Sequence, residues 1–304
     1  MPTAIRTEKL SKTYGSTEAL LDLDLEVPAG EVLGYLGPNG AGKTTTIRLL
    51  LGLIRATRGR AEIFGVDAQA DPVEAHRRVA YVPGEATLWP SLTGTETLHL
   101  LGRVQGRVDT AYRDLLIERF GFDPSKKVRA LSKGNRQKLI LIAGLMSRAD
   151  LLLLDEPTAG LDPLMERAFR ESVEECRERG QTVFLSSHIL SEVEALCDRV
   201  AILRAGHLIE VGTLAQMRHL SALEVEAEMD GTVPDLSTVP GVSAVEVEGN
   251  RLRCHVTGGM EPLLRALASA GVRHLVSKEP SLEELFLAHY GADGSEGGSD
   301  DAVA

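Results

Sequence analysis

The feature that most limits the folds open to this chain is the run Gly37-Pro38-Asn39-Gly40-Ala41-Gly42-Lys43-Thr44-Thr45 and the company it keeps. Before it, Glu31-Val32-Leu33-Gly34-Tyr35-Leu36 reads as a buried strand; after it, Thr46-Ile47-Arg48-Leu49-Leu50-Leu51 continues as a helix. A glycine-rich turn leading from a strand into a helix presents consecutive backbone N–H groups to an anion at the positive end of the helix dipole. In the spacing Gly37-x-x-x-x-Gly42-Lys43-Thr44, Lys43 is placed to neutralise β- and γ-phosphate oxygens and Thr44 to offer a hydroxyl to Mg²⁺, while Asn39, Gly40, Gly42 and Thr45 complete the cradle. The competing reading is a chance glycine turn. At average residue frequencies the pattern arises in roughly one chain of this length in a hundred, and chance does not also supply the strand and the helix.

Around this loop the pattern is that of an α/β protein. The alternation in Ala4 to Leu10 and in Leu21 to Val27 predicts half-exposed strands of an antiparallel edge sheet. Leu151-Leu152-Leu153-Leu154-Asp155 and Thr182-Val183-Phe184-Leu185-Ser186 read as buried strands separated by a helix from about Pro163 to Arg179, as in a parallel sheet. Between about residues 91 and 150 the apolar period is helical, with Leu98, Leu101, Leu115, Leu116 and Phe120, then Leu139, Ile142, Ala143 and Met146, so a helical insertion is expected. From about Ser221 alternation returns, followed by helices at about Pro262 to Ala270 and Ser281 to Tyr290. These give a small α/β accessory domain over 221–290, and the Gly/Ser/Asp-rich stretch 291–304 reads as a solvated acidic tail.

A strand that ends in Asp155-Glu156-Pro157 can deliver Asp155 to the metal side of a bound triphosphate and place Glu156 to polarise an attacking water. Without the loop upstream, such a pair would read as a solvated strand end.

Composition narrows the setting. Cys176, Cys197 and Cys254 form no metal-ligand or disulfide pattern and fit a reducing compartment. No apolar run approaches the length of a membrane span, and the first residues lack a signal core, so a soluble or peripheral protein is expected. Residues 1–220 carry 28 Lys and Arg against 29 Asp and Glu, too balanced for the basic face that nucleic acid requires.

With these residues in place the chain resembles the ATP-binding subunits of ABC transporters over about residues 1–220. Leu131-Ser132-Lys133-Gly134-Asn135 stands where that family carries its signature loop, 23 residues separating Ser132 from Asp155. Tyr14 resembles the family's adenine-stacking aromatic, Ala159-Gly160-Leu161-Asp162 its D-loop, and Ser186-Ser187-His188 its switch histidine. Taken singly, Tyr14 would read as a surface aromatic, His188 as a packed histidine, and Ser132 and Gly134 as a helix cap with Gln137 and Lys138 on the solvated face. Their order supplies the meaning. The resemblance implies a homodimer closing head to tail around ATP and Mg²⁺, with Ser132, Gly134 and Asn135 completing the partner's site and Asp162 of the D-loop among the nucleotide-binding residues. It also implies hydrolysis at Glu156 assisted by His188, a separate transmembrane permease as partner, and a peripheral place for this chain at the cytoplasmic face of the membrane.

Two positions depart from the family pattern. Lys133 adds a cation beside the partner's nucleotide where glycine is common, and Asn135 shortens an amide. The family's metal-sensing glutamine should stand at Gly84; either Glu85 reaches the metal instead, or the loop makes no metal contact. Trp89, the sole tryptophan, reads either as a core side chain or as a ring in the groove that receives the permease. Lys278-Glu279-Pro280-Ser281-Leu282-Glu283-Glu284-Leu285-Phe286 resembles the ending of ABC-2-type drug and antibiotic exporter ATPases, which implies an ABC-2 permease. The rival classes are a soluble ABC ATPase of nucleic-acid or ribosome processes and a nucleotide sensor with little turnover.

Overall fold

The computed structural model of the chain describes residues 2–85, 87–106, 108–219, 223–268 and 270–278. It divides into two compact units, Met1–Gly212 and Thr213–Ala304. The division falls ahead of the change of texture at residue 221.

The first unit opens with a hairpin of β1 (Thr3–Tyr14) and β2 (Thr17–Pro28), then β3 (Val32–Leu36), α1 (Lys43–Leu50), β4 (Arg58–Ile63), β5 (Val66–Asp67), α2 (Pro72–His76) and β6 (Val79–Val82). A helical stretch follows, made of α3 (Gly94–Gln105), α4 (Thr110–Arg119) and α5 (Lys133–Leu145). The chain then returns through β7 (Leu151–Asp155), α6 (Pro163–Glu178), β8 (Thr182–Ser187), α7 (Leu190–Leu196), β9 (Arg199–Arg204) and β10 (His207–Thr213).

Two sheets result. One has the order β2-β1-β4-β5, with antiparallel pairing, and the other β10-β9-β3-β8-β7-β6. In the second, β9, β3, β8, β7 and β6 run parallel, so the ends of β3, β7 and β8 open onto the same edge. Such an edge is where open α/β sheets bind ligands. Strands β3, β7 and β8 are buried along their length, which is why they read as largely apolar runs. A single core joins Leu25 and Ala61 of the first sheet, Ile47 and Leu50 of α1, and Tyr35, Leu153 and Phe184 of the second. Each fully buried Leu, Ile or Phe of this core contributes about 1.5–3 kcal/mol.

The helical stretch is ordered by its caps. Thr93 and Glu96 form a reciprocal capping box at α3, Asp109 accepts the N–H of Tyr112 at α4, and Ser132 accepts that of Asn135 at α5. Leu98, Leu116, Phe120, Leu139, Ile142, Ala143 and Met146 are buried as their period predicts. Leu115 is not: the buried face of α4 runs through Tyr112 and Leu116, one helical turn apart, and leaves Leu115 45% exposed.

The second unit contains α8 (Leu214–His219), β11 (Leu223–Met229), β12 (Val242–Glu248), β13 (Arg251–Val256), α9 (Glu261–Ala268) and β14 (Val272–Lys278). The strands pair antiparallel in the order β12-β13-β11-β14. Alternate residues Val225, Ala227, Leu252, Cys254 and Val256 face a core closed by Leu263 and Leu267 of α9. Strand β14 was not expected from the sequence, since Val-Arg-His-Leu-Val-Ser-Lys has a weak alternation and stays largely exposed. The helix expected over 281–290 and the tail 291–304 lie outside the described residues.

Candidate functional site at the strand ends

The glycine loop leaves β3 and enters α1 through Gly42, whose φ of 110° belongs to the left-handed region. A Cβ there would also stand 2.5 Å from the carbonyl oxygen of Ala19, so both backbone conformation and space require glycine. No side chain caps α1, which leaves its first N–H groups to the loop's concave side.

Lys43 is 5% exposed, yet its ammonium group is well partnered. Nζ donates to the carbonyl oxygens of Gly37 at 2.6 Å and Pro38 at 3.2 Å, and lies 3.3 Å from Glu156 Oε1. The cation is thereby aimed back over the loop. One residue on, Thr44 Oγ1 donates to Asp155 Oδ1 at 3.2 Å, and Ser186 Oγ donates to the same oxygen at 2.7 Å. Asp155 is buried at the end of β7, with Tyr81 nearby; burial first, and the Asp155 charge second, push the Tyr81 phenol up to about 12.

Glu156 turns the chain out of β7 with a φ of 48°, unusual for a side chain with a Cβ. Its N–H is held by both the carbonyl and the hydroxyl of Ser186, each at 3.1 Å. The carboxylate is thus presented between the Lys43 ammonium, on Oε1, and the His188 imidazole, whose Nδ1 lies 3.4 Å from Oε2. Residues from α1, β7 and the end of β8 therefore meet in one cluster of Lys43, Thr44, Asp155, Glu156 and His188. An uncapped helix N-terminus with a buried ammonium fits a polyphosphate, and the Thr44 hydroxyl beside the Asp155 carboxylate is an oxygen set suited to Mg²⁺.

The other anticipated residues fall in three places. Asn39, Gly40 and Thr45 lie in or just after the loop, with Asn39 and Gly40 exposed. Tyr14, at the end of β1, is half-exposed with the Lys12 ammonium 4.9 Å from its ring centre, so a face remains for stacking. Ser132, Gly134 and Asn135 form the start of α5, where Ser132 Oγ accepts both the N–H and the Nδ2 of Asn135. A Cβ on Gly134 would lie 3.6 Å from the carbonyl oxygen of Gly160, which brings this turn beside the loop leading to Asp162, the cap of α6. Among the described residues, no hydrogen bond or ion pair joins Ser132, Gly134, Asn135 or Asp162 to residues 37–45.

Gln137, assigned to a solvated face when Ser132 and Gly134 are read only as a helix cap, is instead buried and donates at 3.0 Å to the carbonyl oxygen of Pro157. It ties α5 to the loop after Glu156, a contact no local pattern announces.

Glu85 is a correction. It is not brought to Thr44 or Asp155; its carboxylate is 89% exposed and pairs with Lys133 Nζ at 3.8 Å. Gly84 explains why the loop here lacks a longer side chain: a Cβ would stand 2.9 Å from the carbonyl oxygen of Asp155 and 3.8 Å from Glu156 Cβ. Trp89 is 53% exposed, which removes the core reading.

A parallel sheet, a glycine loop entering a helix, and a Thr–Asp–Glu–His cluster at the strand ends define a P-loop nucleotide hydrolase. The comparisons narrow this class. Residues 20–159 match the family model described as ABC transporter, and residues 212–290 match that described as ATP-binding protein DrrA1-3-like, C-terminal domain. The daunorubicin resistance ATP-binding protein DrrA3 of Streptomyces coeruleorubidus is 36% identical over 96% of this chain and 97% of its own length. The bacitracin transport ATP-binding protein BcrA of Bacillus licheniformis is 40% identical over 69% of this chain and 70% of its own. Among solved structures, an ATP-binding subunit of an ABC transporter superposes with a TM-score of 0.67 at 33% identity, covering 71% of this chain and 92% of that one. An ATP-binding cassette in a dimeric post-hydrolysis state with ADP and Pi shares the fold, at a TM-score of 0.63 and 23% identity over 69% of this chain and 98% of that one. The chain belongs to the ABC transporter ATP-binding family, and its accessory domain is of the DrrA type.

Proposed function

We propose that this chain is the ATP-hydrolysing subunit of an exporter that moves a small drug-like or antibiotic molecule through a separate ABC-2-type membrane subunit. The observation that carries the hydrolytic half is the convergence of Lys43, Asp155, Glu156 and His188 at one edge of the sheet. In this reading the α1 N–H groups and Lys43 bind the phosphates, Glu156 orients and polarises the attacking water, and His188 holds Glu156 in place. Thr44 and Asp155 would hold Mg²⁺, which when bound neutralises charge on the β- and γ-phosphate oxygens. Tyr14 stacks on the base.

In this reading the Ser132–Asn135 turn and Asp162, which make no hydrogen bond or ion pair to residues 37–45 among the described residues, serve a second copy, and two copies form two equivalent composite sites. The transport half rests on the relatives' names and on an apolar groove. Leu53, Val73 and Val104, 62%, 72% and 77% exposed, line it together with Leu51 and Tyr81. An exposed apolar patch of this kind suits a helical segment of the membrane subunit. Trp89 is exposed but does not line this groove. No helix among the described residues is long and apolar enough to cross a membrane, consistent with a subunit docked at the cytoplasmic face.

The test is Glu156→Gln. It should lose at least about a hundredfold in turnover, keep ATP binding and accumulate as a dimer with ATP in size-exclusion chromatography. Normal hydrolysis by this variant would refute the role of Glu156.

A further inference from the structure

The roles above leave one carboxyl beside the switch histidine without a task. Glu192 lies in α7, and its Oε2 accepts a 2.8 Å hydrogen bond from Ser187 Oγ. That hydroxyl oxygen also accepts the N–H of Ile189 at 3.0 Å, closing a turn whose middle residue is His188. Ser187 is buried, so the turn has no water to compete for it. The other oxygen, Glu192 Oε1, is buried without a hydrogen-bond partner. A buried acceptor left unpaired is a liability that packing alone does not explain.

The surroundings suggest what it is for. Burial pushes the Glu192 carboxyl up, against the hydrogen bond from the Ser187 hydroxyl, which favours its charged form. Glu192 therefore grips the switch turn from the side away from solvent, through the buried Ser187 hydroxyl. The chain Glu192–Ser187–His188–Glu156 is continuous in the distances 2.8 Å, the Ser187-to-Ile189 turn, and 3.4 Å.

We propose that Glu192 is a positioning residue for hydrolysis: through Ser187 it fixes the turn that holds His188 against Glu156. The inference rests on the hydrolytic reading of Glu156 and His188. It makes the switch a braced element, whose geometry is set from behind by a group that does not touch nucleotide.

The experiment uses the full chain with saturating MgATP, a fluorescent ATP analogue for affinity and thermal melting for integrity. Glu192→Ala should lower kcat roughly tenfold while KM and affinity stay within about twofold. Glu192→Gln keeps an acceptor for Ser187 and should restore most of kcat. Ser187→Ala should lower kcat to a similar degree, and the double variant should be no slower than the slower single one. Wild-type kcat in Glu192→Ala, no recovery in Glu192→Gln, or additive losses in the double variant would overturn the proposal. If Glu192→Ala does not fold, Ser187→Ala decides, and an unchanged kcat there overturns it. Glu156→Gln is assayed alongside: full turnover in that variant rejects the hydrolytic reading itself, whereas its loss with unaltered Glu192→Ala rejects the positioning role alone.

Discussion

Lys43 Nζ and Glu156 Oε1 lie 3.3 Å apart, an ion pair whose lysine is 5% exposed and whose carboxylate is turned inward by a left-handed backbone. The pair joins the phosphate loop to the residue assigned to activate water, so phosphate binding and catalysis share one cation. Lys43→Ala removes the only side-chain cation that the loop residues 37–45 supply and leaves Glu156 with His188 alone. ATP affinity should fall by at least about thirtyfold, in line with loss of a charge-assisted contact of about 2 kcal/mol or more. Equilibrium titration with a fluorescent ATP analogue measures it, and undiminished binding would remove the phosphate role.

Gly84 leads to a less intuitive expectation. Supplying the family's glutamine there should not improve activity, because the new Cβ would meet the Asp155 carbonyl oxygen at 2.9 Å. Gly84→Gln should lower turnover and cost about 1–3 kcal/mol of stability by forcing the loop off the end of β7. Steady-state ATPase and chemical denaturation report the two effects. An active, equally stable variant would show that the approach is relaxed in solution.

Glu85→Ala should leave the Mg²⁺ dependence of hydrolysis unchanged, since its carboxylate is solvent-exposed and pairs with Lys133. Exposed pairs of this sort are worth at most about 1 kcal/mol. The readout is ATPase activity across a Mg²⁺ titration, and a rightward shift of the curve would restore Glu85 as a metal ligand.

Acid should loosen the connection between α4 and α6. Glu175 is bound by Arg119 and accepts 2.8 Å from the Tyr112 hydroxyl, while Arg119 also donates to Ser172. The Arg119 hydrogen bond, chiefly, holds the Glu175 carboxyl below its usual 4.5, against the opposing effect of burial. A carboxyl depressed in the fold stabilises it above the unfolded value and loses that contribution as pH falls through the folded value. Between pH 5 and about pH 3, the melting temperature of wild type should therefore fall further than that of Glu175→Gln. Tyr112→Phe should cost about 1 kcal/mol at neutral pH. Parallel acid dependences in wild type and Glu175→Gln would contradict the assignment.

The sequence carried the parts of this site that depend on local order. Gly37 to Thr44 could be read because a loop that wraps phosphate needs its glycines, lysine and threonine at fixed intervals, and Asp155 and Glu156 because a buried strand must end somewhere polar. What escaped reading depends on approach between distant segments. The contact that excludes a side chain at Gly84 lies against Asp155, seventy-odd residues away along the chain, and Gln137 is buried because Pro157 offers a carbonyl there. Glu85 looks like a substitute ligand because it adjoins Gly84 in sequence, whereas the bend after β6 turns its carboxylate out into solvent against Lys133. Glu192 was passed over for a similar reason: an acidic residue in the first turn of a helix is ordinarily a favourable surface charge.

The left-handed backbone at Glu156 has a consequence for anyone improving this protein. A residue with a Cβ held there costs the fold on the order of 1–2 kcal/mol, and the double grip of Ser186 on its N–H keeps it in place. Glycine relieves that cost and also deletes the carboxylate. A library selected for heat resistance alone would be drawn toward glycine at this position, and its hardiest members would be the ones that no longer turn over.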